Sequence, residues 1–99
     1  MKDYSLIHGV LGAIFASDLG RSDKEANDLF QEMLADEECR KKFGESLTVA
    51  FQDAGFSWEA AMNEYEVYPA EDEADARNYA IRILWLPVFP SKEPPSLME

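Results

Sequence analysis

Between Phe43 and Asp75 the chain carries no lysine or arginine, yet Glu45, Asp53, Glu59, Glu64, Glu66, Glu71, Asp72, Glu73 and Asp75 all fall there. Basic residues stop at Lys42 and resume at Arg77. Carboxylates in this number could hold a cation or dock a positively charged partner. Calcium is the first cation to test. The run from Glu71 to Asp75 lacks the alternating oxygen ligands, central glycine and distal bidentate glutamate of a calcium-binding loop. These acids suit the N-terminus of a helix instead. As a surface, the stretch is either a solvated face or an acidic docking site, where complementary potential speeds encounter and enforces specificity.

Trp58, Tyr65 and Tyr68 are interleaved with these acids, and aromatic residues set among polar ones are common interface anchors. Trp58 falls on an apolar stripe and is expected in the core. Tyr68 precedes Pro69 in the least regular segment and is the better candidate for exposure. The other reactive side chains point elsewhere. His8, the one histidine, has Ser5 and Ser17 nearby but no nucleophile turn, so it reads as a histidine at the edge of the core. Cys39 is followed by Arg40, Lys41 and Lys42, which could lower a thiol pKa. Its place on an apolar stripe predicts a buried structural thiol. Pro87-Val88-Phe89-Pro90 matches a minimal proline-recognition pattern but reads more simply as a helix stop.

These features sit on a chain of 99 residues with 20 Asp and Glu against 9 Lys and Arg, a net charge of −11. That length supports one domain, and 46% hydrophobic residues suffice for a packed core. A folded chain of this mass exposes roughly 5,700 Å². The resulting charge density disfavours nucleic acid, because each phosphate contact needs a cation to displace a counterion. Anionic membrane surfaces are disfavoured likewise. One cysteine excludes an intramolecular disulfide and a multi-cysteine metal site. No run approaches the ~18 apolar residues of a transmembrane helix, and the start Met1-Lys2-Asp3-Tyr4 is unlike a signal peptide. A cytoplasmic protein with no cofactor is the expectation.

Helices must position the acids. Tyr4 to Leu19 reads as a first helix, with Tyr4, Ile7, Leu11, Ile14 and Phe15 on one stripe and Leu6, Val10 and Ala13 on another. Gly9 and Gly12 weaken it or mark a close crossing, and Gly20 is its stop. Ser22-Asp23-Lys24-Glu25 forms a capping box for a second helix, whose stripe is Ala26, Leu29, Phe30, Met33 and Leu34. Asp36 caps a third, carrying Cys39, Phe43, Leu47, Ala50, Phe51 and Ala54, continuous through Gly44. Gly55 is expected to close it in the left-handed conformation, with Phe56 folding back onto Phe51. Ser57 starts a short fourth helix with Trp58, Ala61, Met62 and Tyr65 inward.

Residues 65–68 break the helical period and are expected to be extended, since Tyr68 precedes a proline. The last element starts at Glu71-Asp72-Glu73, with Ala74, Asn78, Ile81, Leu84 and Trp85 at helical spacing and Pro87 as its end. Alternation of Tyr79, Ile81, Ile83 and Trp85 also permits a strand over residues 79–86. Helix is preferred because Glu71 to Arg77 has poor strand propensity. The fold class is all-α or nearly so: one domain of about five helices over residues 1–90, then a flexible tail over 91–99.

The segment Tyr65-Glu66-Val67-Tyr68-Pro69-Ala70, followed by Glu73-Ala74-Asp75-Ala76-Arg77-Asn78-Tyr79-Ala80 and Leu84-Trp85, resembles an immunity protein of a bacterial contact-dependent growth inhibition system. The resemblance covers roughly the C-terminal third of the chain. It implies a non-enzymatic cytosolic protein that binds the toxin domain delivered by a neighbouring cell, commonly a nuclease acting on tRNA or DNA. A nuclease surface is basic because it attracts phosphate, so an acidic inhibitor can present carboxylates where phosphates would sit. Independently of the resemblance, the acidic and aromatic pattern nominates Glu59, Glu64, Glu66, Tyr68, Glu71, Asp72, Glu73 and Asp75 as partner-binding residues. A nucleic-acid mimic that inhibits a DNA-binding protein, or a small helical adaptor, would share parts of this pattern.

Overall fold

In the computed structural model, which describes residues 4–95, most of the chain is helical and no strand occurs among the described residues. Helix α1 is Ser5–Val10, continued without a break by the π-helical stretch Leu11–Phe15. A 3₁₀ turn, Ser17–Leu19, ends at Gly20, whose φ of 69° is left-handed as expected of a stop. Helices α2, α3 and α4 are Asp23–Leu34, Glu37–Gln52 and Trp58–Glu64. Helix α5 is Glu73–Ala80, continued by the π-helical stretch Ile81–Trp85 and the closing turn Leu86–Val88. Residues 79–86 are therefore helix. The described residues thus form one all-α domain of five helices.

Local caps start these helices where the sequence placed them. Ser22 Oγ accepts from the Glu25 amide and the Glu25 carboxylate accepts from the Ser22 amide, both at 3.2 Å. Asp36 accepts from the amides of Glu38 and Cys39, and Ser57 Oγ from that of Ala60 at 3.0 Å. Each cap satisfies amides that a helix start leaves without partners.

The core forms around Phe51. Its ring packs on Trp58 at 4.7 Å and Trp85 at 5.4 Å between centroids, with Phe30, Phe43, Ile7, Leu11 and Met62 buried around it. Each such side chain contributes roughly 1.5–3 kcal/mol of apolar burial. Trp58 is in the core, as expected.

Several details differ from the sequence reading, each for a local reason. Cys39 is exposed, because the first turn of α3 overhangs the core, whose buried stripe begins only at Phe43. The π stretches add a residue to a turn and shift the buried faces. In α5 the inward residues are Ala76, Ala80, Leu84 and Trp85, while Ala74 and Asn78 face solvent. Along the first helical segment Leu6 and Ala13 are exposed, and Ala16, just past its end, is buried. Helix α3 ends at Gln52, before exposed Ala54, and its last turn is closed by Asp53, which accepts from the Gly55 amide at 2.9 Å. Gly55 is not left-handed. The Phe56 ring packs edge-on against Trp58 and Tyr4.

After Val88 the chain doubles back along α5. Trp85 Nε1 donates to the Lys92 carbonyl at 2.8 Å, and Arg77 donates to the Pro95 carbonyl at 2.6 Å. Residues 91–95 are thus held at two points. The rest of the expected tail, 96–99, lies outside the described residues.

Candidate functional site

The nominated acids lie on α4, on the start of α5 and in the connection between them. Their geometry divides them into two groups.

Three of them serve the fold. Glu73 reaches across from α5 to α4, where its carboxylate accepts from Ser57 Oγ at 2.9 Å and from the amides of Trp58 and Glu59. It places negative charge at the α4 N-terminus. Asp72 caps α5 by accepting from the Asp75 amide at 2.8 Å. Asp75 accepts from the Tyr68 hydroxyl and from the Glu71 amide, both at 3.0 Å.

Glu59, Glu64, Glu66 and Glu71 form the second group. None of them takes part in an ion pair with lysine or arginine among the described residues. Arg77, the next cation along the chain, lies over the Phe51 ring, while Arg82 lies over the Tyr79 ring and lines a small cleft with Tyr68 and Asp75. Burial lowers the Arg77 pKa from its usual value.

The turn after α4 fixes two of these four. The Glu66 amide donates to the Asn63 carbonyl and the Val67 amide to the Met62 carbonyl, the paired bonds of a Schellman motif. Glu66 takes the left-handed position with φ 51°, so the irregular segment is a tight turn at 65–67 before Tyr68 leads into Pro69. The Ser17 amide donates to the Tyr65 carbonyl at 3.4 Å and Ser17 Oγ to Glu66, which draws the 3₁₀ turn onto this corner. Asp18 then joins Glu64 and Glu66 around a cleft of about 170 Å³ whose wall includes Gly12, Ala16 and Tyr65. Asp18 was not nominated from sequence; no local pattern links it to residues so distant in the chain.

Gly12 lets the first helical segment lie close against this corner. A Cβ there would meet the Tyr65 ring at 3.1 Å, which accounts for a glycine in this helix as a point of close approach. The Tyr65 hydroxyl shares a hydrogen bond with His8 Nδ1 at 3.0 Å, and Glu64 lies 3.8 Å from the same nitrogen. His8 is half-buried at this seam, the core-edge position expected of it.

Tyr68 is half-buried rather than fully presented. Its ring stacks on Tyr79 at 4.1 Å with a 5° interplanar angle. The hydrogen bond to Asp75 raises its phenol pKa above the usual value, with desolvation adding to it. The other acids of the lysine-free stretch are elsewhere: Asp53 accepts from the Tyr4 hydroxyl, and Glu45 lies on the outer side of α3. Chemically, the corner brings the carboxylates of Asp18, Glu64 and Glu66 together beside the Tyr65 ring, with no lysine or arginine ion pair to them among the described residues; Glu59 and Glu71 do not line this cleft.

No family model, curated protein or solved structure matches the chain. Among the described residues, no helix is long and apolar enough to cross a membrane.

Proposed function

We propose that the protein is a non-enzymatic immunity protein that binds and neutralises a cognate bacterial toxin domain, a nuclease acting on tRNA or DNA. It acts in the cytoplasm by presenting its acidic face to the toxin's basic active-site or substrate-binding surface. The observation that carries this reading is the set Glu59, Glu64, Glu66 and Glu71, which have no lysine or arginine ion pair among the described residues, in a protein of net charge −11. Such charges cost self-repulsion and gain a use when a cationic surface covers them. The resemblance over residues 65–85 supports the same class of partner.

The test is co-expression of the tagged chain with the C-terminal domain encoded directly upstream, followed by purification at about 0.5 M salt, where surface attraction is largely screened. A stoichiometric complex, with growth restored to cells making that domain, is expected. Reversing Glu64, Glu66 and Glu71 to lysine should slow association by about tenfold or more and flatten its salt dependence. Asp72, Glu73 and Asp75 are unsuitable for this purpose, because their substitution disturbs helix caps as well. Absence of both complex and protection would overturn the proposal.

A further inference from the structure

A trough of about 670 Å³ runs along the outer side of α3, between that helix and Val88–Phe89. It is larger than the acidic cleft and distinct from it. Its floor is Gly44 and Thr48. Thr48 Oγ1 donates to the Gly44 carbonyl at 2.8 Å, so the hydroxyl is satisfied within the helix. Gly44 sets the depth, since a Cβ there would come within 3.0 Å of the Phe89 ring. Arg40 pins the far wall by donating to the Val88 carbonyl at 2.8 Å. The near wall is a ridge of α3 carrying Glu37, Lys41 and Glu45 at four-residue spacing, followed by Val49, which is 38% exposed.

We infer that this trough docks an amphipathic helix of a different polypeptide, one whose apolar stripe is flanked by a basic–acidic–basic series. The wall from Glu37 to Val49 spans just over three helical turns, roughly 18 Å, which matches a helix laid in a groove. The charge order negative–positive–negative reads the same in both directions, so either orientation of the incoming helix can satisfy it. A second copy of this chain fits poorly. The same face of a second copy is also concave, and in register it would set Lys41 against Lys41 and Glu37 against Glu45. The inference does not depend on the acidic face or on what binds there.

Two synthetic helical peptides with the same leucine stripe test it, one flanked by Lys-Glu-Lys at four-residue spacing and the other by Glu-Lys-Glu. Titrated into the ¹⁵N-labelled full chain, the first should shift amides of residues 40–49 and 88–89 and bind about tenfold tighter or more than the second. Thr48→Glu should abolish this binding while the melting temperature is kept. If that variant unfolds, Val49→Asp on the exposed ridge replaces it. Equal binding of both peptides, shifts centred elsewhere, or no binding by either would overturn the inference. So would a dimer by sedimentation that Thr48→Glu dissociates, because a second copy would then be the occupant.

Discussion

The carboxylate of Glu73, on helix α5, closes the N-terminus of α4 at the amide of Trp58. One side chain therefore joins two helices and fixes the entry of one of the two buried tryptophans into the core. Glu73→Ala should destabilise the protein by about 1–2 kcal/mol, the usual loss for a helix cap. Glu71→Ala, two residues away and without such partners, should stay within about 0.5 kcal/mol. Urea denaturation of the two variants checks the distinction between carboxylates that cap helices and carboxylates that do not.

Two glycines of the first helical segment should behave in opposite ways. A Cβ at Gly9 meets nothing within 4 Å, so Gly9→Ala should stabilise by about 0.5–1 kcal/mol through helix propensity and a less flexible unfolded chain. Gly12→Ala drives a methyl group against Tyr65 and strains its bond to His8, so the melting temperature should fall.

Tyr4 carries the clearest pH signature. Partial burial, then the hydrogen bond to Asp53 and that residue's charge, push its phenol pKa up to about 12. An unfolded tyrosine ionises near pH 10. A folded pKa above the unfolded one favours folding fully below pH ~10, and that contribution is lost as pH rises towards ~12. Tyr4→Phe should remove one phenolate transition from the ultraviolet titration at its high-pH end, and with it this part of the alkaline decline in stability.

Cys39 offers a direct check on where the core ends. Being exposed on the first turn of α3, it should react with Ellman's reagent in the native protein within about tenfold of the rate in urea. A protected thiol would place that turn inside the core.

How much of this was legible in the sequence depended on range. The caps at Ser22, Asp36 and Ser57 operate over two or three residues, and each was visible as a local pattern. The α5 stripe was misjudged because periodicity assumes a constant turn, and the π stretch at Ile81–Trp85 breaks that assumption. Cys39 shares the helical phase of Phe43, but phase cannot tell how far a neighbouring helix extends. The acidic stretch was legible as composition. Its division into carboxylates that cap helices and carboxylates that do not was hidden, since Glu73 acts on a helix start fifteen residues earlier. Asp18 reached its corner through a backbone bond from Ser17 to Tyr65, a contact that no sequence pattern announces.

Glu66 stands in the left-handed position that closes α4, where an ordinary side chain costs roughly 1 kcal/mol relative to glycine. That corner is held by two backbone hydrogen bonds from its own helix and by the 3₁₀ turn beneath it. The charge therefore leaves the surface from a stiff mount. For any cationic group that meets it, much of the ordering entropy has been lost during folding rather than on contact. The corner thus trades a little conformational ease for a carboxylate whose base is preorganised.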